Sequence, residues 1–150
     1  MILATFCGGN ATGSKNATGS EADKLWTMLN GYWKYVVTTV SDLDDPQLIF
    51  CYLGYNDENK PISNIVWGYE GGEAEYVTEV TILDEHRYRV TFEVPANKEE
   101  GLFEVHDAYT LVRDYDLSDY SNKKLTIESS GNISEWKYIG TTFPENIFDD

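Results

Sequence analysis

From Tyr32 onward, apolar and polar residues alternate with period two in short runs, and turn-forming stretches break the runs. Strands are predicted over 32–40, 48–55, 63–69, 75–83, 87–94, 102–113, 123–129 and 133–141. Between them lie DLDDP, NDENKP, EGGE, DEH, PANKEEG, DLSDYS and SGN, all rich in Asp, Asn, Gly and Pro. No helical crossover separates the runs, so the predicted arrangement is an antiparallel meander. Its eight strands are enough to close an up-and-down barrel, which removes exposed edges.

The segment before Tyr32 has a different period. Leu25, Trp26 and Leu29 fall on one helical face, Ser20 opens the run and Asn30-Gly31 stops it. Residues 8–19, GGNATGSKNATG, have no periodicity and read as a flexible lead-in. MILATFCGG resembles the tail of a secretory signal. The expected organisation is a signal remnant over 1–9, a lead-in over 10–19 and one all-β domain over 20–150. The final PENIFDD is expected to open a C-terminal helix.

Alternation assigns faces. Tyr88, Val90, Phe92 and Val94 share one side of their strand, opposite Arg87, Arg89, Thr91 and Glu93, and are expected inside. In 102–113 the inward set is Phe103, Val105, Tyr109 and Leu111, with Asp107 among them. A carboxylate on an inward face costs several kcal/mol unless it is paired or protonated. Asp107 therefore either bonds internally or awaits a cationic ligand. Tyr76, Val80 and Ile82 are expected inward, leaving Val77 and Glu79 outward. The 63–69 run is apolar on both sides, with Ile65, Trp67 and Tyr69 on one of them. Trp33 and Tyr35 share one face of the first strand, with Val37 and Thr39 beyond them.

Composition then narrows the function classes. The 150 residues carry a net charge of −15, with eleven Tyr and four Trp. Such a field repels nucleic acid and anionic membranes and attracts cations and basic partners. Sequons at Asn10, Asn16 and Asn132 favour a secreted glycoprotein. Cys7 and Cys51 are too few for a thiolate metal site. His86 and His106 have no metal or triad spacing, and neither a Gly-x-Ser-x-Gly nor a phosphate loop occurs, so no enzyme and no cofactor are expected.

A helix followed by Gly31-x-Trp33 at the first strand of a meander resembles the lipocalin signature. The resemblance implies that Trp33 closes one end of the barrel while Tyr35 borders a cavity towards the other. More particularly the chain resembles the tick salivary lipocalins of the histamine-binding type. DKLW at 23–26, YVVTTV at 35–40, Asp45-Pro46, FCYLGYNDENK at 50–60, VTEVT at 77–81 and SEW at 134–136 carry that likeness. It implies a secreted monomeric barrel that sequesters a host mediator such as histamine or serotonin, using inward carboxylates and an aromatic box. By position it implies Asp107, Glu79, Trp136 and Asp45 as matches, and it links the cysteine matching Cys51 to the C-terminal tail. The chain departs from the pattern where a Cys-Asp pair is missing and where Glu135 adjoins Trp136, since strand neighbours face opposite ways.

The candidate ligand-binding set is Asp107, Glu79, Trp136, Tyr35, Trp67, Tyr88, Phe92 and Tyr109. Two alternatives accompany amine capture. One is an apolar ligand such as a fatty acid, sterol or leukotriene. The other is an acidic outer surface that engages host immune proteins or cells.

Overall fold

The computed structural model describes residues 20–36, 49–67, 70–101 and 103–142. Helix α1 (Ser20–Leu29) buries Ala22, Leu25, Trp26 and Leu29, which recur at helical spacing, and exposes Asp23, Lys24, Thr27 and Met28. Its acidic first turn suits the positive end of the helix dipole. Gly31 makes the exit possible. Its φ is 137°, and a Cβ there would lie 2.6 Å from the Tyr138 ring and 2.7 Å from the Gly140 carbonyl oxygen.

Nine strands follow: β1 (Gly31–Val36), β2 (Ile49–Tyr55), β3 (Pro61–Trp67), β4 (Glu70–Gly71), β5 (Glu75–Ile82), β6 (Arg87–Val94), β7 (Tyr109–Asp116), β8 (Lys124–Ser129) and β9 (Asn132–Gly140). Short β4 folds back on the end of β3. The other eight pair antiparallel in a ring, β1 to β2, β3, β5, β6, β7, β8 and β9, and β9 returns to β1 through Trp136 opposite Tyr35 and Tyr138 opposite Trp33. The result is a closed eight-stranded, lipocalin-like barrel, as the alternation predicts. Local chemistry sets the connections. Ser130 and Gly131 have φ of 52° and 84°, the pair of positive values that a two-residue type I′ hairpin between β8 and β9 requires.

One end of the barrel is plugged with rings. Trp26 is fully buried, and its Nε1 donates to the Ile62 carbonyl oxygen at 2.9 Å. Its ring meets Phe92 and Tyr115 edge-on, with centroids 5.9 and 5.8 Å away. Trp33 donates to the Leu29 carbonyl oxygen at 2.8 Å and packs on Tyr138 at 5.0 Å. Tyr120 and Tyr138 donate from their hydroxyls to the carbonyls of Met28 and Asn30, holding the helix C-terminus to the barrel.

The structure corrects two face assignments. The sixth barrel strand, expected over 102–113, is β7 at Tyr109–Asp116, so Phe103, Val105 and Asp107 precede it. Asn97 causes the difference: its backbone bridges His106, and its amide donates to the carbonyls of Phe103 and Glu104. Those bonds fold the segment into a loop, leaving Val105 exposed. In β5 a bulge between Val77 and Glu79 inserts Thr78 as an extra residue. Val77 is consequently buried with Val80, and Ile82 is more exposed than expected. In β6 the expected inward set holds, with Val90, Phe92 and Val94 buried and Tyr88 half-buried. The signal-like start, Asn10, Asn16, Cys7, Asp45, Tyr69 and the C-terminal PENIFDD lie outside the described residues.

Candidate functional site

Away from the plug, the barrel interior holds a cavity of about 570 Å³. Its walls are Tyr35 on β1, Ile49 and Cys51 on β2, Ser63 and Ile65 on β3, Ile127 on β8 and Trp136 on β9. Ser129, Ser130, Asn132 and Ser134 border it around the β8–β9 hairpin. Register explains the convergence, because Trp136 lies opposite both Tyr35 and Leu125, and Ser134 lies opposite Ile127. The Tyr35 and Trp136 rings are 5.3 Å apart and tilted. Ser134 fixes the indole: its hydroxyl accepts from Trp136 Nε1 at 2.8 Å and donates to the Ile127 carbonyl oxygen.

The floor is ionic. Arg113 and Tyr115 project inward from β7 and border the cavity. The Arg113 guanidinium donates to both carboxylate oxygens of Glu75, at 2.5 and 2.8 Å, and lies 5.1 Å from the Phe92 ring centre. The two side chains are only 12% and 11% exposed, so this is a desolvated, bidentate pair. Burial works against the Arg113 charge. The hydrogen bonds to Glu75 and its charge, together with the adjoining Tyr115 hydroxyl, outweigh it, and the guanidinium is held above its ordinary pKa.

Burial also pushes the Tyr115 hydroxyl and the Cys51 thiol well up, leaving both neutral. Arg113 is the polar neighbour of the Tyr115 hydroxyl, acting on it through its charge and through a contact too poorly aligned to be a full hydrogen bond. Cys51 is a buried free thiol, and with its proton held on it is a wall residue rather than a nucleophile.

The eight residues nominated from sequence separate clearly. Tyr35 and Trp136 are brought together on the cavity wall. Phe92 and Tyr88 belong to the packed interior: Phe92 lies beneath Arg113, and half-buried Tyr88 packs against the same core. Tyr109 stands exposed at the first residue of β7, with its ring 5.2 Å from His106. Glu79 is exposed on the outer face of β5. Asp107 is not inward. It lies in the loop before β7 with its side chain 93% exposed, paired to Lys98 at 2.8 Å. Trp67 belongs to β3 opposite Ile49. Asn132 is exposed where β9 begins.

Sequence reasoning missed Arg113, Glu75, Tyr115 and Ser63. Leu111, Arg113 and Tyr115 share one parity in YTLVRDYD, and a strand begun at Tyr109 would have shown a cation among inward apolar positions. Glu75 was hidden by the bulge that reverses parity beyond Val77. Compared with family models, with curated proteins and with solved structures, the chain matches none.

Proposed function

We propose that this protein is a secreted lipocalin-type carrier that sequesters a small apolar molecule inside its barrel, in the manner implied by its resemblance to tick salivary lipocalins. One observation carries the reading: a closed barrel, plugged at the helix end, holds an open cavity of about 570 Å³ walled by Ile49, Ile65, Ile127, Tyr35 and Trp136. Apolar walls with a few placed polar groups are the usual composition of a ligand cavity. Binding requires no chemistry, and a bound mediator is withdrawn from its receptors.

The structure does not favour the amine form of the expectation. Asp107, on which it turned, is on the surface, and Glu75, behind the cavity-lining Arg113, is engaged by that guanidinium. Secretion is supported by the signal-like start and the three sequons. Asn132 stands exposed beside the cavity, in reach of a glycan.

The test uses protein secreted from a eukaryotic host. Native mass spectrometry is expected to show co-purified lipid, and the neutral dye Nile red is expected to bind saturably. Ile127→Trp, which pushes an indole ring into the cavity, should weaken dye binding about tenfold or more. Saturable binding of histamine or serotonin with no uptake of dye or lipid would overturn the apolar reading.

A further inference from the structure

We propose that the Arg113–Glu75 pair makes the cavity select a neutral, oxygen-bearing head group on an apolar body, such as a hydroxyl, carbonyl or ester, over both carboxylates and ammonium ions. This inference rests on the ligand-cavity reading above and specifies the class of ligand. Arg113 borders the cavity, whereas Glu75 lies behind it and occupies its terminal nitrogens at 2.5 and 2.8 Å. A guanidinium carries five N–H donors in a fixed fork, so donors remain for a ligand oxygen after Glu75 is served. Beside it the buried Tyr115 hydroxyl has only a poorly aligned contact with Arg113, a second polar group at the floor that a ligand oxygen could satisfy.

Charge bookkeeping decides which oxygen fits. The pair is neutral as a unit. A ligand carboxylate would add an uncompensated negative charge beside Glu75, in a site where Arg113 and Glu75 are each almost fully desolvated. It cannot simply replace Glu75, because Glu75 is fixed in the wall of β5 and would be left buried and unpaired. An ammonium would meet the guanidinium that fronts the cavity, with no described carboxylate facing it from the lining. A hydroxyl or ester oxygen accepts from the guanidinium and changes no charge. Glu75 thereby acts as a filter for head-group charge without touching the ligand's apolar body.

Four probes with one chain and different heads test this: decan-1-ol, methyl decanoate, decanoate and decylammonium, each competing with Nile red for the full-length protein near neutral pH. The alcohol and the ester are expected to bind about tenfold or more tightly than either ion. Decanoate affinity is expected to rise as the pH falls and the acid takes up its proton. In Glu75→Gln the guanidinium loses its counter-charge, so decanoate should gain about tenfold while decan-1-ol changes by less than about threefold. Should that variant fail to fold, the pH dependence in the native protein carries the test alone. Equal or tighter wild-type binding of decanoate or decylammonium overturns the inference. So does an acid-to-alcohol ratio unmoved in folded Glu75→Gln. No binding by any probe overturns the ligand-cavity reading itself.

Discussion

The two halves of the barrel interior are built from the same alternating strands, yet they are filled differently. Towards α1 the inside is ring against ring: Trp26, Phe92 and Tyr115 interlock, and Trp33 packs on Tyr138. Towards the β8–β9 hairpin, Tyr35 and Trp136 stand at the wall of a cavity with serines around it. Each indole N–H in the plug is bonded to a backbone carbonyl, whereas Trp136 is held by the side chain of Ser134. The packed rings make the plug the stabilising half, and under the proposed function the cavity is the binding half, with Arg113–Glu75 on the boundary between them.

The contrast breaks most directly at the plug. Trp26→Ala removes the largest buried ring and its bond to Ile62, and is expected to cost about 4 kcal/mol in denaturant unfolding. A loss below about 1 kcal/mol would show that the plug is not the core. At the boundary, Arg113→Met leaves Glu75 buried without its partner and should cost about 3 kcal/mol, most of it recovered in Arg113→Met with Glu75→Met. A double variant no more stable than the single one would count against a paired floor.

Outside the barrel the effects shrink. Arg89 holds the Asp114 carboxyl below its ordinary pKa through two hydrogen bonds. Asp114's contribution is present above its unfolded value and is lost as the pH falls through the lowered folded one. Because Arg89 is half-exposed and screened by solvent, Arg89→Ala should destabilise least of these variants, and less again in high salt, by the same unfolding measurement.

His106 has the opposite sign. Its bonds to the Asp107 carbonyl and to Glu73 raise its pKa above the ordinary 6.5, so its contribution is complete below that value and is lost as the pH rises through the raised one. NMR titration should find its midpoint lowered in Glu73→Gln, and an unmoved midpoint would remove Glu73 from the account.

Much of this architecture could be read in the sequence. The α1 face and the β6 alternation follow from periodicity, because one buried face fixes each parity, while the roles of Trp33, Tyr35 and Trp136 rest on that alternation together with the lipocalin resemblance. What escaped depends on contacts distant along the chain. Phe103, Val105 and Asp107 continue the alternation of β7, and only the Asn97 bridge to His106 removes them from it. Glu75 and Arg113 are 38 residues apart, brought together by strand order and by a bulge that no composition announces. Alternation points to Asp107 as an inward acid, whereas among the described residues the buried acid is Glu75.

The division of the interior into plug and ligand cavity has a direct measurement. In nitrogen-15-labelled protein the indole resonances, assigned by Trp→Phe substitution, can be followed while decan-1-ol is added. The Trp136 signal is expected to move saturably, while Trp26 and Trp33 stay fixed behind the plug. Movement of Trp26 or Trp33 with Trp136 unmoved, or no saturable movement of Trp136, would contradict the account.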